Sequence, residues 1–245
     1  MKVDCQLIPA PVSEEWKDAI VVVIDVLRAT STIVTAFMNG CRSIVPVAEV
    51  EEAFQLVKGS MPGALIGGER EGVAVDGFDL GNSPQEYTSS RVQGKTVVLT
   101  TTNGSRAFRS LPQGTVGVAA SFLNLEAVAR YCLRQGRDIL FILSGGEGKF
   151  SLEDTVCAGG ILGIIRKQLQ GGLEMTDAAL AAEILYDHFR RNLVAMLRSA
   201  LHGRSLIEIG AEGDLEYCAQ VDVTVVVPFY HDGEIVLFTE HPEPA

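Results

Sequence analysis

Short apolar runs alternate with helically spaced segments along most of the chain. The clearest run, residues 20–24 (I-V-V-V-I), ends abruptly on the carboxylate of Asp25, and Arg28 follows three residues later. A continuous apolar run of this length, rich in Val and Ile, reads as a strand buried on both faces. Residues 95–100 and 138–143 repeat the pattern. Shorter runs predict strands at 43–47, 64–66 and 116–119, with 3–8 as an edge strand closed by Pro9 and Pro11. Helical spacing predicts helices over 30–38, 49–58, 123–134 and 155–169, then a long one starting at Thr176-Asp177 and reaching Leu201. Residues 221–229 and 234–239 flank His231-Asp232-Gly233 as a β-hairpin. Strands alternating with helices give an α/β fold: a layered, mixed, mainly parallel sheet flanked by helices, with a C-terminal β-hairpin. No repeat or boundary divides it, so a single domain over 1–245 is expected, with some sub-structure after residue 171.

One stretch escapes this rhythm. From residue 67 to 88 periodicity disappears, and Gly67, Gly68, Gly72, Gly77 and Gly81 punctuate it. A structureless stretch near twenty residues is uncommon inside a compact domain and is usually functional. Phe78, Leu80 and Tyr87 imply that it packs against the rest.

Charge narrows the partners. Twenty Lys and Arg against 31 Asp and Glu leave a formal net charge of −11, which disfavours nucleic acid, since such binding needs a basic surface. A local Arg cluster can still hold a small anion. The five Cys are scattered, odd in number and form no C-x-x-C pair, as expected of reduced thiols in the cytoplasm. The first residues lack a signal peptide's apolar core and no run reaches membrane length. A soluble, cytoplasmic protein without a membrane partner is expected. A homodimer through the helix after Thr176 or through the hairpin is one assembly its apolar segments allow.

Three strand ends run into polar, Gly-rich turns that open helices: around Asp25, around Asn103-Gly104 and around Glu147. Helix N-termini offer unpaired N–H groups and partial positive charge, which suit anions. Arg28, Arg70 and Arg106 lie in or beside these turns, as do Asp25, Glu69, Glu147, Glu153 and Asp154. Carboxylates beside a bound phosphate repel it unless a hard cation lies between them, so a Mg²⁺ site is the economical inference. Glu153 alone reads better as a helix-dipole charge. Familiar sites are absent. The run 144–151 (S-G-G-E-G-K-F-S) has Phe150 where a P-loop needs Ser or Thr. The four His lack zinc spacing, and G-x-S-x-G is missing. Cys5 and Cys157 read as packing residues. Leu27 stands where a phosphoaspartate phosphatase of the haloacid-dehalogenase type needs a second Asp.

Taken together, D-V-L-R-A-T-S-T (from Asp25), G-E-R-E-G…D-G-F-D-L-G-N-S-P-Q-E-Y (from Gly68), T-T-T-N-G-S-R-A (from Thr100), S-G-G-E-G…L-E-D (from Ser144) and C-A-Q-V-D…V-V-P (from Cys218) resemble the 2-phosphosulfolactate phosphatase family, in the family's order and over nearly the whole chain. The resemblance implies Mg²⁺-dependent hydrolysis of 2-phosphosulfolactate to sulfolactate and phosphate, a step of coenzyme M synthesis. Such a substrate carries phosphate, sulfonate and carboxylate, which suits several anion-binding turns at one edge. On this reading Asp25, with Glu69, Glu147 or Asp154, holds Mg²⁺ and orients water. Arg28, Arg70, Arg106 and the backbone at Asn103-Gly104 neutralise the anionic groups, so Asp25, Arg28, Glu69 and Arg70 form the catalytic set. Two alternatives stay open: a phosphatase of another small 2-phospho acid, and a non-catalytic binder of an anionic phosphorylated metabolite.

Overall fold

A computed structural model describes residues 1–146, 148–169 and 171–237. Its strands are β1 (Lys2–Gln6), β2 (Ile20–Ile24), β3 (Ser43–Val47), β4 (Leu65–Arg70), β5 (Val73–Ala74), β6 (Thr96–Thr100), β7 (Val116–Ala120), β8 (Ile139–Leu143), β9 (Glu174–Met175), β10 (Pro228–His231) and β11 (Glu234–Leu237). All join one sheet in the order β5-β4-β6-β3-β11-β10-β7-β2-β8-β1-β9. The helices are α1 (Ala29–Met38), α2 (Val50–Lys58), α3 (Ser89–Val92), α4 (Gly104–Arg109), α5 (Leu125–Gln135), α6 (Leu152–Leu169), α7 (Asp177–Phe189), α8 (Leu193–Ser199), α9 (Leu201–Glu208) and α10 (Glu212–Cys218). The α/β class with a mixed, mainly parallel sheet is as the sequence pattern predicts. Among the described residues, no helix is long and apolar enough to cross a membrane.

The sheet has two parallel halves, β7-β2-β8-β1-β9 and β3-β6-β4. Between them lies the β10–β11 hairpin, antiparallel to β7 on one side and to β3 on the other. The predicted hairpin is therefore an internal joint, and three successive antiparallel pairings, β7 with β10, β10 with β11 and β11 with β3, make the halves run in opposite directions. Wide sheets curl as strand twist accumulates. Here Val21, Val23, Leu140 and Ile142 of one half share a core with Ile44, Val97 and Leu99 of the other, around Ile33 and Phe37 of α1 and Phe108 of α4. The opposite faces lie under separate clusters, one with α5, α6 and α7 and one with α2. This curl lets strand ends from both halves contribute to one site.

Several expectations change in detail. β1 is not an edge strand, since two-residue β9 pairs beyond it. The third predicted strand continues through Gly67-Gly68 to Arg70 and turns back into β5. Glycine there serves close strand pairing: a Cβ on Gly68, at φ +138°, would lie 1.9 Å from the Thr100 carbonyl oxygen. The rest of the aperiodic stretch is anchored as its aromatic and aliphatic residues imply, with Leu80 and Tyr87 in the shared core. The long helix after Thr176 is broken after Phe189, and Asn192 restarts it by accepting the Ala195 N–H. Val221 and Val223 are exposed and outside any strand, tied by the Asp222 and Thr224 N–H groups to the Phe122 and Leu123 carbonyls. Residues 238–239 of the predicted second hairpin strand lie outside the described residues. Helix α6 begins three residues before its predicted start, which draws Glu153 and Asp154 into its first turn.

Helices α6 and α7 approach at glycine. A Cβ on Gly159 would fall 2.0 Å from the Ala182 carbonyl oxygen, backbone that cannot give way as a side chain tip would. Gly159→Ala is expected to separate the helices and lower stability by about 1–3 kcal/mol, despite alanine's better helix propensity. A shift of the urea midpoint to lower concentration at unchanged m-value would show it; a shift upward would contradict the close approach.

Candidate active site

Asp25 is the first residue beyond β2, and it is 7% exposed. Its backbone and side chain together start α1. The carbonyl accepts from the Thr30 N–H and hydroxyl, and Oδ1 accepts the Ala29 N–H at 3.3 Å. The start of α4 presses on the same carboxylate from the other half of the sheet. A Cβ on Gly104 would lie 2.4 Å from Ala29 Cβ and 2.7 Å from Asp25 Oδ2, so only glycine allows this approach. Asn103, at the N-cap position, makes no side-chain capping bond; the Thr101 hydroxyl instead accepts the Ser105 N–H at 2.9 Å.

Three further carboxylates surround Asp25. Glu69, near the end of β4, accepts the Gly72 N–H at 2.8 Å and the Thr102 N–H at 2.7 Å, which binds it to its own turn and to the turn after β6. Asp154 accepts the N–H groups of Val26 and Gly145 on separate oxygens, tying the turns after β2 and β8 together. Glu153 beside it is buried, so the helix-dipole reading of this residue does not cover its environment. Desolvation pushes the Asp25 carboxyl up to about 7; Glu69 and, less strongly, Glu153 add to the rise, while the Ala29 and Gly104 N–H groups oppose it. Burial likewise raises Glu153 and, with the charges of Glu153 and Asp25, raises Asp154 well above the ordinary range.

The positive charge at this edge is Arg28, at 5% exposure. Its Nη1 donates to Asp214 Oδ2 at 2.7 Å and Nη2 to the Gly72 carbonyl at 2.6 Å. The Leu27–Arg28 peptide bond is cis. Asp214, from α10, also accepts from Ser83 at 2.6 Å and Gln85 at 3.2 Å, so it fastens the stretch after Asn82 to α1. His202 of α9 stands with Nδ1 4.0 Å from Glu153 Oε1. Burial and then the Arg28 charge lower its pKa, with Glu69 acting in the other direction.

The structure thus brings Asp25, Arg28, Glu69, Gly104 and Asp154 to one edge. It turns two predicted arginines elsewhere. Alternation along β4 puts Arg70 on the face opposite Glu69, where it donates to the Ala48 and Glu69 carbonyls and the Thr100 hydroxyl. Arg106 is exposed and pairs with Glu49 at 3.0 Å. Glu147 lies outside the described residues. Sequence reading missed His202 and Asp214, which arrive from helices more than 170 residues after Asp25 with no local signature. Asn82 was visible only as part of the aperiodic stretch. Asn82 precedes Ser83, which bonds the same Asp214 that holds Arg28, and Asn82 Oδ1 is buried without a hydrogen-bond partner among the described residues.

Among the described residues, no three of the His, Cys, Asp and Glu side chains are grouped to hold a metal ion. Two carboxylates within each other's field, Asp25 and Glu69, form a set of hard oxygen donors. That set fits Mg²⁺, which binds through one or two carboxylates and keeps its remaining positions for water and phosphate oxygens.

Comparison with known proteins agrees with the motifs. The sequence model of the 2-phosphosulpholactate phosphatase family matches residues 6–233. A probable 2-phosphosulfolactate phosphatase of Clostridium acetobutylicum is 40% identical over 237 residues, covering 96% of this chain and all of its own. Proteins of the same description from Clostridium tetani (39% over 222 residues, 91% and 94% coverage) and Symbiobacterium thermophilum (40% over 232 residues, 94% and 99% coverage) are similar along nearly their full length.

Two predictions follow from the charges. Arg28→Met or Asp214→Leu alone strands a buried charge and is expected to cost about 3–5 kcal/mol, with the double replacement recovering much of the loss. A urea double-mutant cycle measures this, and strictly additive losses would refute the coupling. Asp25 holds its proton more tightly folded than unfolded (the ordinary value is 3.8), so the folded state carries the extra proton between about pH 4 and pH 7. Its contribution to stability therefore declines as pH rises through that window. In EDTA, Asp25→Asn is expected to flatten this decline and to be the more stable protein at pH 8, by on the order of a few kcal/mol. Superimposable pH–stability curves for the two proteins would exclude it.

Proposed function

The chain belongs to the 2-phosphosulpholactate phosphatase family, and from that premise we propose that it hydrolyses the phosphate monoester of 2-phosphosulfolactate, giving sulfolactate and inorganic phosphate, with Mg²⁺ as cofactor. The observation that carries this reading is the meeting of Asp25 and Glu69, from opposite halves of the sheet, with Arg28 bound to the same Gly72 as Glu69.

Hydrolysis forms a bond from water oxygen to phosphorus and breaks the bond from phosphorus to the ester oxygen; the proton lost by water ends on the released 2-hydroxyl. Most of the catalysis in such a transfer is positioning and charge stabilisation. Asp25 and Glu69 would hold Mg²⁺, with Asn82 Oδ1 as a neutral third donor. The ion supplies Lewis-acid neutralisation of phosphoryl charge. Asp25 would orient the attacking water. Arg28, fixed by Asp214 and the Gly72 carbonyl, offers positive charge to the anionic substrate without needing to reorganise. The backbone at Asn103-Gly104 adds N–H dipoles at the same edge. Asp154 acts one step back, by holding the turns after β2 and β8 at the spacing that Asp25 requires. The small-acid product places the reaction in sulfolactate metabolism, of which coenzyme M synthesis is the setting we favour.

Phosphate release from 2-phosphosulfolactate, against a panel of small 2-phospho acids with and without EDTA, tests this. Activity is expected to need Mg²⁺, and Asp25→Asn to lower kcat by roughly a hundredfold or more, the scale seen for preorganised charge-stabilising groups. Full Mg²⁺-dependent activity in Asp25→Asn would defeat the assignment. Binding without turnover would favour a non-catalytic receptor, and preference for another phospho acid would reassign the substrate.

A further inference from the structure

Four buried side-chain atoms have no hydrogen-bond partner among the described residues: Gln6 Oε1, Asn82 Oδ1, Ser144 Oγ and Glu183 Oε2. Glu183 serves Arg166 through its other oxygen at 3.0 Å, and Gln6 ends β1, which is separated from β2 by β8. Asn82 is accounted for above. Ser144 remains, and its place is defined by the ladder. The Ile24↔Leu143 pair is the last of the β2–β8 register, and the Ser144 N–H continues it by donating to the Ile24 carbonyl at 2.8 Å. Ser144 is therefore the cross-strand neighbour of Asp25. Neighbours in a parallel ladder turn their side chains to the same side of the sheet.

Its surroundings hold it there. The next N–H, that of Gly145, is bound by Asp154 at 3.3 Å. Gly145 is at φ +64°, and a Cβ on it would meet the Lys149 carbonyl oxygen at 2.4 Å, so the chain leaves Ser144 through a position that suits only glycine. At 3% exposure, an unsatisfied hydroxyl is a cost that alanine at this position would avoid. A rotatable hydroxyl offers one hydrogen, and the ionised groups of a phosphate ester accept hydrogen bonds only.

We propose that Ser144 is a substrate-binding residue that donates its hydroxyl hydrogen to a phosphoryl oxygen of the substrate held beside Asp25. The inference rests on the phosphatase reading of this same site and assigns it one further donor.

Inorganic phosphate is the probe that separates the two. Its binding to wild-type protein in Mg²⁺, to Ser144→Ala and to Ser144→Thr is measured by calorimetry, alongside KM, kcat and ligand-free Tm. A hydrogen bond to a charged group sets the expected loss of phosphate affinity in Ser144→Ala at roughly ten- to hundredfold. KM should rise correspondingly, with ligand-free Tm unchanged or higher and the hydroxyl of Ser144→Thr restoring part of the affinity. Unchanged phosphate affinity in Ser144→Ala overturns the proposal, as does absence of phosphate binding by the wild type. A lowered Tm with unchanged affinity also overturns it, by making the hydroxyl structural. Wild-type turnover with an unaffected Ser144→Ala defeats this inference alone. Phosphate binding lost in Ser144→Ala, by a wild type that turns over no phosphosulfolactate, upholds the phosphate-binding role of Ser144 and defeats the activity.

Discussion

Negative charge buried at the end of β2 is the constraint to which the surrounding structure answers. Asp25, Glu69, Glu153 and Asp154 gather where water is largely excluded, an arrangement that is costly unless each carboxylate is paired or hydrogen-bonded. The chain meets most of this cost with backbone. Both oxygens of Asp154 and both of Glu69 take main-chain N–H groups, and the α1 and α4 termini face Asp25. Arg28 is fastened to Asp214 rather than to any of the four. Asp25 is left with a raised proton affinity, and so with a demand for cationic company that the fold itself does not satisfy.

That demand is created by topology. Asp25 and Ser144 come from one parallel half of the sheet, Glu69 and the turn after β6 from the other, and the halves run in opposite directions. They meet because the sheet curls around α1 and α4, whose apolar faces belong to a core shared by both halves. Placing reactive groups at the ends of buried strands gives them positions set by many hydrogen bonds, which is how a site achieves preorganisation. The contacts of Glu69 show this: one oxygen reads the turn after its own strand and the other the turn after β6.

How much of this was legible in the sequence follows from the range of each signal. β2, β6 and β8 were clear because strands buried on both faces write short continuous apolar runs. Asp25 and Glu69 stood out as charges beside such runs. Arg70 points away from Glu69 for a reason of period two: it neighbours Glu69 in sequence and therefore faces the other side of the strand. Arg106 looked like a ligand because it lies in the first turn of α4, but its long side chain reaches outward to Glu49. Glu153 was read as a surface dipole charge, since nothing local reveals that α9 brings His202 over it. Asn192 gave the break in the long helix, yet a continuous apolar face masked it. Asp214 and His202 depend on tertiary packing alone, and no spacing rule reaches that far.

The position of the β10–β11 hairpin has a consequence for the way the molecule is made. Among the described residues, 228–237 are translated after every other strand, yet they occupy the middle of the sheet. Until they arrive, β3 and β7 each present an unsatisfied edge, and open edges of Val- and Ile-rich strands are where chains stick to one another. The two halves share the core around α1 and α4, but the strand register between them is set only once the hairpin lies between β3 and β7. A nascent chain arrested before residue 228 would therefore hold both half-sites without the joint that pairs β3 to β7.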